Sequence, residues 1–149
     1  MREAVCDTSP LQYLHQIDCL HLLSGFYAQV LIPPAVVSEL DRGRTLGVDL
    51  PNVHTLPWAK IQAPQESDKA PTVAGLGAGE KEVLALGMQF PEAVVILDER
   101  LGRVHAAALR LTITGTLGIL LRAKEDGKIL RMEPFISSRT SIVWGFACL

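Results

Sequence analysis

The chain has 149 residues, 48% of them apolar, and a formal net charge of −2, which suits one domain over residues 1–149 with a core of its own. No apolar stretch approaches the roughly 20 residues of a membrane-spanning helix, and Met1-Arg2-Glu3 leads into a strand without a signal-peptide pattern, so a cytoplasmic protein with no membrane partner is expected. Cys6, Cys19 and Cys148 suggest neither a disulfide framework nor a Cys-x-x-Cys metal site and read as buried thiols, while the charge balance neither requires nor excludes a nucleic-acid partner.

Ala4-Val5-Cys6 reads as a buried strand ending at Asp7. Ser9-Pro10 is an N-cap followed by the residue favoured at the first helical position, opening a helix to about Ile17 with Leu11, Leu14 and Ile17 on one side. Asp18 can cap a second short helix carrying Leu20, Leu22, Leu23 and Phe26, and Gln29 to Ile32 is strand two. Pro33-Pro34 opens a helix whose Val36, Val37 and Leu40 face inward, with Glu39 beside them. From Gly43 to Gly79 the chain is rich in proline and glycine, a long excursion in which Trp58-Ala59-Lys60-Ile61 is a candidate edge strand.

Gly77-Ala78-Gly79-Glu80 leads into a helix with Val83, Leu84 and Met88 on its apolar side, which puts Glu80 in the first turn. Ala93 to Leu97 is a second buried strand, ended by Asp98 and followed by a helix over about Leu101 to Leu109. Leu111-Thr112-Ile113 is a short strand, and Thr114-Gly115-Thr116 caps a helix that stops near Gly127, a good C′ residue. The tail, residues 130–149, ends unusually apolar and predicts burial against the domain or a second copy, hence a homodimer.

The strand–helix alternation predicts a three-layer α/β/α domain around a central, mainly parallel sheet, and such sheets bind ligands beyond the carboxyl ends of their strands. Asp7 and Asp98 stand at two such ends. Carboxylates gathered in one pocket repel unless a cation neutralises them, and the natural occupant is a hard divalent ion with oxygen ligands, Mg2+ or Mn2+.

Each residue also has a plainer role. Asp7 can be a turn or cap residue, Glu39 a solvated helix position, Glu80 a carboxylate complementing the positive end of its helix, and Thr116 an N-cap. Gly75, Gly77 and Gly79 do not make a dinucleotide loop, because the third glycine comes one residue early and no strand precedes them. His15, His21, His54 and His105 have no metal-binding spacing. Arg42, Arg44, Arg100 and Arg103 follow acidic positions and could hold phosphates, although a solvated face is the usual role of such arginines. Arg122, Lys124, Lys128 and Arg131 read as solvated.

Five segments in order, Asp7-Thr8-Ser9-Pro10-Leu11, Pro33-Pro34-Ala35-Val36-Val37-Ser38-Glu39-Leu40, Gly77-Ala78-Gly79-Glu80, Leu97-Asp98-Glu99 and Thr114-Gly115-Thr116-Leu117-Gly118, together resemble a prokaryotic branch of the PIN-domain superfamily. The resemblance covers roughly Ala4 to Leu130. It implies a PIN-like fold acting as an endoribonuclease on RNA with Mg2+ or Mn2+, often as the toxin of a toxin–antitoxin pair with an antitoxin protein as partner. Carried over, Asp7, Glu39, Glu80 and Asp98 are the four acidic metal-holding and catalytic positions. Ser9 and Thr116 match hydroxyls bordering the pocket, and Glu99 stands where a related branch has a second Asp. The toxin branch commonly has Asp where this chain has Glu80. A non-catalytic PIN fold that binds RNA or protein is the alternative. A phosphatase-like or receiver-like use of Asp7 is a weaker one, since Ser9 stands where the common phosphatase pattern has a second Asp.

Overall fold

The computed structural model describes residues 1–65, 74–135 and 143–148, the last two strands by their backbone. Residues 66–73 of the expected excursion and 136–142 of the tail lie outside the described residues.

Strands β1 (Ala4–Cys6), β2 (Val30–Ile32), β3 (Ala59–Ile61), β4 (Val94–Ile96) and β5 (Thr112–Thr114) form an all-parallel sheet in the order β3-β2-β1-β4-β5. Ala4 pairs with Val30 on one side and Val94 on the other, Val30 with Ala59, and Val94 with Thr112. The described helices flanking the sheet are α1 (Thr8–Gln16), α2 (Leu22–Phe26), α3 (Pro34–Thr45), α4 (Ala78–Gln89), α5 (Arg100–Ala108) and α6 (Thr116–Glu125). The result is the expected three-layer α/β/α architecture around a parallel sheet. Every residue of β1, β2 and β4 is buried because helices cover both faces, which is why these strands read as unbroken apolar runs. The edge strands β3 and β5 are partly exposed, as their polar Lys60, Thr112 and Thr114 require.

The chain steps outward from β1 through β2 to β3, and α4 then precedes β4, which lies on the other side of β1 and is followed by β5. The connections leaving β1 and β4 therefore diverge, and a crevice opens beyond their carboxyl ends. Leu11, Leu14, Leu23, Leu40, Leu84, Leu86, Ile119 and Leu120 from the helices pack with Val5, Ile32 and Ile96 of the sheet in one core. Each of these buried side chains contributes about 1.5–3 kcal/mol.

Asp18 does not cap α2, which starts at Leu22 with His21 at its N-cap. It takes a left-handed conformation (φ 57°), with its N–H donating to His15 O and that of Cys19 to Leu14 O, and so closes α1 in a Schellman motif. Arg110 and the expected Gly127 end α5 and α6 by the same pattern. Cys6 is a free buried thiol, but Cys19 is disulfide-bonded. This corrects the expectation of thiols throughout, since spacing along a sequence does not bound distance in the fold.

Arg122 is exposed, as the solvated reading has it, but it and Lys128 also rest on an aromatic ring. Their charged groups lie 4.2 and 4.6 Å from the centre of the buried Phe26 ring, a cation–π arrangement. Strands β6 (Ile129–Phe135) and β7 (Val143–Cys148) pair antiparallel as a separate two-stranded sheet. No described helix is long and apolar enough to cross a membrane.

Candidate active site

Asp7 is the N-cap of α1 and only 4% exposed. Its N–H donates to Ile96 O at 3.1 Å, which ties the end of β1 to β4. The expected cap at Ser9 is thereby corrected: the helix begins at Thr8, with Ser9 and Pro10 in its first turn. Proline is tolerated there because the first-turn N–H groups have no intrahelical partner to lose. Burial is the largest influence on the Asp7 carboxyl and pushes it up to about 7. The Thr8 N–H pulls the other way, while the charges of Glu80, Glu39 and Asp98 add to the rise. The other three carboxylates, contributed by different βα connections, thus all act on Asp7 at the carboxyl end of β1.

Glu39, half-buried on α3, is held at both oxygens. Thr8 Oγ1 donates to Oε2 at 2.5 Å and the Gly79 N–H to Oε1 at 3.3 Å. A Cβ at residue 79 would stand 2.9 Å from Oε1, so any larger residue there would make this carboxylate shift. Glu82, one turn further along α4, returns the bond by accepting from Ala35 N in the first turn of α3 at 2.8 Å. Thus α3 and α4 each satisfy an N-terminal N–H of the other. Sequence reading missed Thr8, Gly79 and Glu82. The Thr after Asp7 and the glycine before Glu80 were visible, but nothing local tied either to Glu39.

Glu80 accepts from Gly77 N at 2.8 Å, the capping role that its place in the first turn suggested. Asp98 is gripped by one residue: Thr116 N donates to Oδ1 at 2.7 Å and Thr116 Oγ1 to Oδ2 at 2.5 Å. Thr116 is therefore not the N-cap of α6. Gly115 occupies that position, and the threonine hydroxyl turns to the carboxylate. A Cβ on Gly115 would lie 2.5 Å from Asp98 Oδ1 and 2.8 Å from Arg103 Nη1, so these two charged groups share the space over one glycine. Glu99 caps α5 by accepting from Gly102 N at 2.8 Å and so serves its own helix.

The four arginines separate clearly. Arg103 Nη1 donates to Leu97 O at 3.0 Å, and Arg44 pairs with Asp41 at 3.2 Å. Arg42 and Arg100 are exposed. His15 and His54 face Asp49 and Asp41, at 3.0 and 3.6 Å.

An all-carboxylate oxygen donor set, with Asp7 driven toward protonation by burial and its acidic neighbours, has the chemistry that suits a hard divalent cation. Among the described residues, no three His, Cys, Asp or Glu side chains form a ready-made metal cage. Such an ion commonly keeps several waters and needs only one or two direct carboxylates, so the donor set still fits it. A depression of about 430 Å³ lined by Met1, Arg2, Phe90 and Glu92 lies at the other end of β1 and β4 and brings nothing to the acidic groups.

A family model described as PIN domain matches residues 3–141. No curated protein matches the chain.

Proposed function

Because the chain belongs to the PIN-domain family, whose members are generally nucleases and typically use divalent metals, we propose that it is a Mg2+- or Mn2+-dependent endoribonuclease hydrolysing RNA phosphodiester bonds. Asp7, Glu39, Glu80 and Asp98 are the residues that would hold the metal. The observation that carries this reading is the convergence on Asp7, where the charges of Glu80, Glu39 and Asp98 all raise the proton affinity of a buried carboxyl at the carboxyl end of the central strand.

When bound, a divalent ion supplies Lewis acidity toward the phosphodiester and a water activated for attack on phosphorus. The chain's own groups fix the geometry. Thr116 orients Asp98 at both oxygens, Thr8 and Gly79 orient Glu39, and Glu80 keeps one oxygen clear of its bond to Gly77. A hydrogen-bonded carboxylate still has lone pairs to offer a cation. Asp7, the most buried of the four, holds its proton near neutral pH until a positive charge is brought to it. Under the same proposal residues 1–149 are one domain working in the cytoplasm as a homodimer, as the toxin of a toxin–antitoxin pair with an antitoxin protein as partner. Ser9 and Glu99 border the site without touching the reaction.

A second reading is favoured by one observation. Glu39, Glu80 and Asp98 each have partners within the chain, and no described trio is caged for an ion. A PIN fold that binds RNA or protein without cleaving would look the same. End-labelled mixed RNAs incubated with Mg2+, Mn2+ or EDTA, beside the Asp7→Asn/Asp98→Asn double variant, decide between the two. The expected result is metal-dependent cleavage that the variant loses by more than the roughly 10–100-fold typical of removing an outer metal partner. Cleavage no greater than the variant's, with no metal binding by calorimetry, would leave the binding module.

A further inference from the structure

Four carboxylates repel a polyanion, so a nucleic acid approaching them needs a fixed cation at the edge of the cluster. Resting on the nuclease reading for the class of substrate, we propose that Arg103 is that cation and that it grips a phosphate of a single RNA strand beside Asp98 before any metal is bound. Arg103 Nη1 is anchored on Leu97 O at 3.0 Å, and Leu97 is the residue immediately before Asp98. The side chain lies over Gly115, where a Cβ would crowd Nη1 at 2.8 Å and Asp98 Oδ1 at 2.5 Å, so any larger residue there would push the guanidinium or the carboxylate aside.

A guanidinium has five N–H donors in a planar fork. Among the described residues the Leu97 carbonyl is the one acceptor Arg103 meets, which leaves Nε and Nη2 for two oxygens of one phosphate. The anchored side chain loses less rotamer freedom on binding than a free one. Its three sequence neighbours in role lack this combination. Arg44 is engaged by Asp41, whose other oxygen faces His54, while Arg42 and Arg100 are exposed and have no such anchor among the described residues.

The test is fluorescence anisotropy of a short fluorescein-labelled single-stranded RNA of mixed sequence, titrated with full-length protein in EDTA over a range of salt. Arg103→Ala is expected to weaken binding about tenfold and to reduce the slope of log K against log salt by about 0.7, the value for one phosphate contact on a single strand. Arg103→Gln, which keeps an N–H donor for Leu97 but no charge, is expected to show the same loss, which separates the effect from unfolding. Arg100→Ala is expected to change affinity less than about twofold, as a solvated charge should.

Wild-type binding and slope retained in both Arg103 variants would overturn the proposal, as would an equal loss in Arg100→Ala or failure of the wild type to bind RNA in EDTA. Cleavage with Mn2+ is measured on the same samples. Wild-type cleavage alongside unaltered binding by the Arg103 variants removes this proposal and leaves the nuclease. Arg103-dependent binding with no cleavage removes the nuclease and leaves the phosphate grip.

Discussion

The Asp7 carboxyl is 4% exposed and has its pKa pushed up from 3.8 to about 7, chiefly by burial and then by three acidic neighbours. With the folded-state value above the unfolded one, the native protein binds more protons than the unfolded chain between these limits. Stability therefore falls as pH rises from about 4 to about 7 and the full penalty stands above that window, roughly 4 kcal/mol by linkage. In metal-free buffer Asp7→Asn is expected to be more stable than the wild type at pH 8 by an amount of that order, with the difference vanishing at or below pH 4, as urea unfolding at the two pH values would measure. An equal loss of stability at both would mean that the amide fits the site worse than the carboxyl and that the charge of Asp7 carries no penalty. Asp7 and Asp98 could be picked out of the sequence because each ends an apolar run. Thr116 could be seen too, as a plain cap or, from the resemblance, as a hydroxyl beside the pocket, but its hold on Asp98 could not, since that carboxylate belongs to another βα unit.

Helices α3 and α4 are locked by an exchange of carboxylates, Glu39 to Gly79 N and Glu82 to Ala35 N. Removing the second bond leaves an N–H at the start of α3 without a partner, at a cost of about 1–2 kcal/mol. Glu82→Ala should lower the urea midpoint accordingly, and Glu82→Gln, which retains an acceptor, should recover at least half of the loss. No change in either variant would show that water satisfies Ala35 N equally well. Helix periodicity and proline placement made α1, α3, α4, α5 and α6 readable to within a few residues, because burial of an apolar stripe is a local pattern. The start of α2 was not readable in this way. Asp18 fits an N-cap as well as a left-handed C′ residue, and which role it takes is decided by the bonds from its own and the following N–H to α1. The exchange between α3 and α4 left no local trace, because its partners are 40 and 47 residues apart.

At the scale of the molecule, the sheet order β3-β2-β1-β4-β5 carries residues from separate crossovers to one end, and only the folded chain presents them together. An ion that binds this arrangement and not the unfolded chain stabilises the fold by about 2.7 kcal/mol at a hundredfold excess over its Kd. Mn2+ is therefore expected to raise the Tm of the wild type at pH 7.5 and to leave that of Asp7→Asn/Asp98→Asn unmoved. Equal shifts in both would locate the ion elsewhere. The alternation of elements disclosed the layers and the parallel sheet, yet it could not say that β1 lies between β2 and β4, because strand order is fixed by packing across the whole core.

That order also sets a timetable for synthesis. A ribosome delivers Asp7 and Glu39 early, but the neighbour of β1 on its other side, the Asp98 carboxylate and the Thr116 that grips it all lie in the later part of the chain. Long-range parallel pairing cannot form until both strands have emerged. If the proposed cleavage activity is present, a nascent chain stays harmless to the messenger that encodes it until translation has passed Thr116.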